Sequence, residues 1–254
     1  MTLPATTALE TRRLCKRFGA LTVAQNIEFR LDAGARHALI GPNGAGKTTF
    51  VNMLTGALAP SSGQVLLGGV DVTQMSQAGR VARGLGRTFQ ITTIFRNLSV
   101  LDNVALGVAE RRGVAKKIWR AAGSYAEVKD ESLALLARLG IADDAHRAAG
   151  DLPYGKQRLI EIAIALGLAP KVLLLDEPAA GVPSEDSGRI LDVLAELPRE
   201  IAILVIEHDM ELVKRFAQRI TVLVQGEVLV EGSPGEVMAD RRVHQVYLGE
   251  ADRV

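Results

Sequence analysis

Short apolar runs bounded by Gly and Asp fill the first third of the chain and predict strands at residues 8–14, 27–31 and 37–40. Residues 64–67 and 70–72 flank Gly68-Gly69, a two-residue hairpin signal. Between them Phe50, Met53, Leu54 and Leu58 recur at helical spacing within 47–58, a helix that Pro60 is expected to close. From about residue 86 to 168 the strand signal fades. Helical periodicity appears at 100–108 and 131–139, and 157–168 is strongly apolar on one side. Residues 172–175 and 201–206 are then short, nearly uniform apolar runs, the pattern of strands buried on both faces. Residues 220–224 and 228–230 flank Gln225-Gly226-Glu227 and predict an antiparallel hairpin. The pattern as a whole predicts an α/β core carrying a helical insertion of roughly 80 residues.

Composition narrows the function classes. The chain has 254 residues, 48% hydrophobic, 23% charged and 4% aromatic, enough for one large α/β domain or two small ones. Thirty Lys and Arg against 29 Asp and Glu leave a net charge of +1, which argues against a nucleic-acid binder working by basic fields and stacking. A single cysteine, Cys15, rules out an internal disulfide framework and fits a reducing compartment. The longest uncharged apolar stretch, 162–169, is far short of the roughly 20 residues that span a bilayer. Residues 1–4 carry no basic segment leading into an apolar run, so no secretory signal is expected. The expectation is a soluble, intracellular protein that serves a membrane only through a partner.

Gly41, Pro42, Asn43, Gly44, Ala45, Gly46, Lys47 and Thr48 fit G-x-x-x-x-G-K-[ST], with Thr49 following, between a predicted strand and a predicted helix. Glycines let successive backbone N–H groups turn inward as an anion nest at a helix N-terminus. Lys47 is placed to reach β- and γ-phosphates, and the Thr48 hydroxyl to ligate Mg²⁺. The complementary carboxylates stand at the end of the apolar run 172–175. Asp176 is the candidate Mg²⁺ ligand, through water, and Glu177 the candidate for polarising an attacking water. No N-K-x-D guanine-reading motif occurs in the chain, which counts against a GTPase.

Leu152-Pro153-Tyr154-Gly155-Lys156-Gln157-Arg158, before Asp176 at a helix mouth, resembles the signature loop of ATP-binding cassette ATPases. Other landmarks stand in family order. Gln90, in Arg87-Thr-Phe-Gln90, resembles the glutamine loop, and residues 179–183 lie where the family has its dimer-contact loop. His208, in Ile206-Glu-His-Asp209, resembles the switch histidine, and Phe18 occupies the aromatic position that stacks on adenine. The resemblance implies a P-loop NTPase fold: a RecA-like core with an N-terminal antiparallel β subdomain and an inserted helical subdomain. Residues 1–87 and 166–240 would form the β subdomain and core, 88–165 the helical part, and 241–254 a C-terminal tail. It implies catalytic roles for Glu177, His208 and Gln90, and Mg²⁺ held by Thr48, Gln90 and Asp176. It also implies a head-to-tail dimer with two ATPs at the interface. The phosphate loop of one subunit and Pro153, Tyr154, Gly155 and Lys156 of the other would clasp each nucleotide.

Two departures bear on the clamp. The family commonly has Ser where this chain has Pro153, which offers neither hydroxyl nor N–H, and Gly where it has Tyr154. Pro183 stands where the family usually has Asp or Asn in the dimer-contact loop, a departure at the position of the usual cross-subunit bond. The sets Leu152–Gly155, Glu177–Gly181 and Ile206–Met210, with Val246-Tyr-Leu-Gly-Glu250, resemble the ATPase subunits of bacterial branched-chain amino-acid importers and their relatives. Such importers pair two ATPase chains with transmembrane permease subunits and a periplasmic solute-binding protein, which implies a peripheral position on the cytoplasmic face of the inner membrane. The alternatives are a soluble, non-transport cassette ATPase, the lipopolysaccharide-export ATPase, and a small-molecule kinase that would leave residues 152–158 unexplained. The basic cluster Arg111, Arg112, Lys116, Lys117 and Arg120, around Trp119, is read as a solvated helix surface. Residues 92–101, with Ile94, Phe95 and Leu98, are the expected membrane-subunit contact.

Overall fold

The computed structural model describes residues 6–88, 94–114 and 123–248. Two long strands, β1 (Thr7–Phe18) and β2 (Leu21–Asp32), pair antiparallel, and β3 (Arg36–Ile40) follows. Helix α1 (Lys47–Thr55) leads to β4 (Ser62–Leu67) and β5 (Val70–Asp71), joined at Gly68-Gly69 as expected. Helix α2 (Gln77–Ala82) and β6 (Leu85–Arg87) close the first third. The helical stretch holds α3 (Val100–Arg111), α4 (Gly123–Arg138) and α5 (Tyr154–Gly167). The remainder alternates: β7 (Val172–Asp176), α6 (Ser184–Ala195), β8 (Ala202–Ile206), α7 (Met210–Phe216), β9 (Arg219–Val224), β10 (Glu227–Gly232), α8 (Pro234–Ala239) and α9 (Arg241–Leu248).

Two sheets result. One is antiparallel in the order β2-β1-β4-β5; the other has the order β10-β9-β3-β8-β7-β6, parallel except for the terminal hairpin β9–β10. The uniform apolar runs now have a reason, because both faces of the parallel sheet are covered. Alternate residues of a strand point to opposite faces. Leu174, Leu204 and Ile206 therefore join Phe29, Leu31, Phe50 and Leu54 in the core between the two sheets, around α1. Leu173, Leu175, Ile203 and Val205 join Val104, Ile160 and Ile190 in the core under the helices.

The elements depart from expectation in several places, of which those nearest the candidate loops matter most. Helix α1 stops at Thr55, because Gly56 takes a left-handed C-cap before Pro60 is reached. Strand β1 runs on to Phe18, and α5 begins at Tyr154, with Pro153 as its N-cap. The terminal hairpin turns on Gln225-Gly226 alone, since Glu227 already pairs with Val224. Ile94 is buried in the helical core, so the apolar exposure after the glutamine loop comes down to Phe95 and Leu98. Arg111 is ion-paired to Glu131, and Arg112 to Glu127 and Glu131, a surface tie between α3 and α4. Lys116, Lys117, Trp119 and Arg120 lie outside the described residues. Among the described residues no helix is long and apolar enough to cross a membrane.

Candidate functional site

The parallel order places the C-terminal ends of β3, β8 and β7 side by side, and each end delivers one candidate loop to the same edge of the sheet. Strand β3 is buried throughout and runs directly into Gly41–Gly46, with α1 starting at Lys47. The N-cap, Gly46, has φ 97° and supplies no side-chain bond, so the first-turn N–H groups of α1 are left for an anion. A Cβ at Gly41 would stand 2.1 Å from the Leu223 carbonyl oxygen, and one at Gly46 would stand 2.7 Å from that of Val23. Only glycine lets the loop approach β9 and β2 this closely. The Gly226 N–H donates to the Ala45 carbonyl at 2.9 Å, and the Gln25 N–H donates to the Gly226 carbonyl at 2.8 Å. The loop is thus gripped by the β9–β10 turn. The Lys47 ammonium donates to the carbonyls of Gly41 (2.5 Å) and Pro42 (3.0 Å), which holds it over the loop's mouth.

Strand β7 ends in two carboxylates with opposite surroundings. Asp176 is buried and accepts from Arg87, whereas Glu177 is one-third exposed. Glu177 adopts φ +47°, a left-handed backbone that costs an ordinary residue about 1–3 kcal/mol and recurs at functional sites. Its N–H donates to the Ile206 carbonyl at 2.9 Å, extending the β7–β8 ladder one step beyond the strands. Across that step His208 Nδ1 lies 3.5 Å from Glu177 Oε1, with the histidine largely exposed. Asp209, beside it, caps α7 by accepting from the N–H groups of Glu211 and Leu212. Strands β3, β8 and β7 so deliver the phosphate loop, His208 and the Asp176-Glu177 pair together. Phe18 stands half exposed at the end of β1, with the Lys16 ammonium 5.0 Å from its ring centroid. Gln90 lies outside the described residues.

The signature-like loop opens α5, which packs against α3 and α4. Pro153 caps the helix without a side-chain bond, so the N–H groups of Tyr154 and Gly155 open the first turn. The Tyr154 ring lies over Arg158, 5.1 Å from its guanidinium carbon, and against Gly181 of the expected dimer-contact loop. Lys156 Nζ is turned to Asp144 at 2.5 Å. Pro183 caps α6, again without a side-chain bond.

Two further charged residues belong to this site, each within a motif whose neighbours carried the sequence signal, Arg87 before Gln90 and Glu207 before His208. Arg87 donates to both Asp176 and Asn52, and Glu207, 2% exposed, lies behind His208. The available signal was a charge at the end of an otherwise apolar strand. Burial pushes the Glu207 carboxyl above the usual carboxylate range, and the N–H groups of Ala179 and His208 pull it back.

Among the described residues no group of three or more His, Cys, Asp or Glu is gathered as a metal cage. The oxygen donors are the buried Asp176 carboxylate and the Thr48 hydroxyl, each at the same sheet edge. That sparse, hard set suits Mg²⁺, which keeps several waters and takes phosphate oxygens as its other ligands.

Residues 24–180 match the family model described as "ABC transporter", and residues 227–253 the one described as "Branched-chain amino acid ATP-binding cassette transporter". The chain is 35% identical over 250 residues to the high-affinity branched-chain amino acid transport ATP-binding protein LivG of Escherichia coli (strain K12), covering 96% of this chain and 98% of LivG. It is 32% identical over 243 residues to the lipopolysaccharide export system ATP-binding protein LptB of Acidithiobacillus ferridurans, covering 95% and 97%. The crystal structure of the ADP conformation of MJ1267, an ATP-binding cassette of an ABC transporter, superposes with a TM-score of 0.84 at 28% identity. That superposition covers 96% of this chain and 99% of MJ1267.

Proposed function

We propose, since this chain belongs to the ABC transporter family and is an ATP hydrolase, that it powers a bacterial importer of branched-chain amino acids or related small polar solutes. Closure of a head-to-tail dimer of such subunits would drive the transmembrane permeases, with a periplasmic solute-binding protein delivering the solute. The chain would then sit peripherally on the cytoplasmic face of the inner membrane. Phe95 and Leu98, both exposed beside the start of α3, are the proposed contact with a permease.

The observation that carries the catalytic part is the 3.5 Å approach of His208 to Glu177 at the sheet edge that also bears the phosphate loop. In this reading the loop N–H groups from Gly41 to Thr49 and the Lys47 ammonium bind the phosphates, and Phe18 stacks on adenine. Asp176, Thr48 and Gln90 hold Mg²⁺, which when bound neutralises charge on the β- and γ-phosphate oxygens. Glu177 orients and polarises the attacking water, and His208 holds the carboxylate's direction and faces the γ-phosphate. The N-terminus of α5, with Pro153, Tyr154, Gly155 and Lys156, completes the partner subunit's site, where backbone N–H groups and the helix dipole stabilise γ-phosphate charge.

Glu177→Gln tests this. The variant is expected to bind ATP normally, to release no phosphate and to accumulate as a closed dimer in size-exclusion chromatography; turnover at the parent rate would remove Glu177 from its role. A second reading, lipopolysaccharide export, is favoured by the similarity to LptB. Stimulation of the assembled complex's ATPase by branched-chain amino acids with a binding protein supports import, and stimulation by lipopolysaccharide supports export.

A further inference from the structure

Among the described residues Glu207 is a buried carboxylate at this sheet edge to which the proposed mechanism gives no task. It is 2% exposed and directly follows β8, whose residues Ala202–Ile206 are all apolar and buried. A buried carboxylate costs free energy unless it is hydrogen-bonded, and an apolar side chain would suit this position better as far as the core is concerned. Its bonds say what it does. Glu207 Oε1 accepts from the Ala179 N–H at 3.4 Å, and Oε2 accepts from the His208 N–H at 3.3 Å. Its own N–H donates to the Leu39 carbonyl at 3.3 Å, on the strand that becomes the phosphate loop. One residue at the end of the central strand of three is thus bonded to β3, to the loop after β7 and to the next residue of its own loop.

We propose that Glu207 is a positioning residue whose carboxylate ties the loop bearing Glu177 to the loop bearing His208. It fixes the separation of those two side chains and so acts on turnover rather than on nucleotide affinity. The backbone alone does not supply this tie. The β7–β8 ladder ends with the Glu177 N–H on the Ile206 carbonyl, and beyond it no further backbone hydrogen bond joins the two loops among the described residues. The carboxylate is suited to the task because one oxygen accepts across the gap from the Ala179 N–H while the other is steadied by the N–H of its own neighbour, His208. Glutamine at this position keeps one acceptor and turns an NH₂ toward the other N–H, so it keeps the crossing bond or the local one but not both. Alanine keeps neither.

This inference rests on the roles proposed for Glu177 and His208, and the experiment separates the two. ATPase turnover with Mg²⁺-ATP is measured for the full chain and for Glu207→Gln, Glu207→Ala and Glu177→Gln, with unfolding midpoints for each. The expected result is graded. The kcat falls about threefold in Glu207→Gln and about tenfold or more in Glu207→Ala, while the KM for ATP stays within about twofold. If the alanine variant does not fold, the near-isosteric Glu207→Gln decides alone. Parent kcat per folded molecule in Glu207→Gln, or a KM that rises in step with the loss of kcat, overturns the inference. Turnover retained by Glu177→Gln instead overturns the reading beneath it.

Discussion

Arg87 and Asp176, 89 residues apart in the chain, form a nearly buried ion pair with Nη2 donating to Oδ2 at 3.0 Å. The same guanidinium donates through Nη1 to Asn52 Oδ1 on α1 at 2.8 Å. Strand β6, α1 and the candidate magnesium ligand are thereby pinned to one another just ahead of Gln90. Removing the cation from a buried pair leaves an uncompensated charge, and Arg87→Leu is expected to lower stability by about 3 kcal/mol. Adding Asp176→Asn to that variant should return part of the loss, read from urea midpoints at constant slope. Strictly additive losses would mean that the two residues do not act as a pair.

Lys47 crosses the mouth of its own loop, bonded to the carbonyls of Gly41 and Pro42. In the proposed role it binds phosphate, and its replacement by alanine is expected to cost about 10- to 100-fold in ATP affinity, the equivalent of one charged hydrogen bond. Titration with a fluorescent ATP analogue checks this, and unchanged affinity would overturn the phosphate-loop assignment. Stability should change by less than about 1 kcal/mol, since glycine geometry and the Gly226 bond hold the loop without the lysine.

Pro153→Ser gives α5 the capping hydroxyl that its N-terminus lacks. A serine cap contributes about 1 kcal/mol, partly offset by the greater freedom that serine gives the unfolded chain. The variant should keep or raise its ATPase rate with a melting temperature close to the parent's. A collapse in rate would show instead that the proline shapes the loop.

His37 is expected to make stability depend on pH. Its imidazole is buried against Phe29 and joined to the Thr221 hydroxyl at 2.8 Å, and burial lowers its pKa to about 4. The folded state therefore favours the neutral ring, while the unfolded chain takes up a proton near pH 6.5. The contribution is complete above pH 6.5 and is lost as pH falls from there to about 4, to the extent of about 3 kcal/mol. His37→Gln should flatten the urea midpoint over that window; an unchanged slope would assign the acid sensitivity to other groups.

The strand-loop-helix at Gly41–Thr48 and the strand-plus-carboxylates at Asp176-Glu177 were legible because each is a local pattern: a spacing of glycines, or a uniform apolar run with acids at its end. The β4–β5 and β9–β10 hairpins were legible for the same reason, whereas the pairing of β1 with β2 was not. Arg87 and Glu207 were not, because their partners lie on other strands and no local periodicity records which strand ends become neighbours. Ile94 was misplaced because an apolar residue in a polar loop has the same local signature whether it faces solvent or plugs the core. The left-handed backbone of Glu177 was equally hidden, since glutamate has no preference for it and the tertiary frame imposes it.

The grip of the β9–β10 turn on the phosphate loop bears on how such proteins are recombined. Gly226, whose N–H holds Ala45, immediately precedes the segment 227–253 that carries the branched-chain transporter signature. That segment looks like a detachable module at the end of the chain, yet its first strand is braced on β9, the strand that backs Gly41. A chimaera that exchanges the tail between relatives inherits the donor's hairpin geometry at the nucleotide's doorstep. Its junction belongs after Gly232, so that the rest of the tail is exchanged while the phosphate loop keeps its native wall.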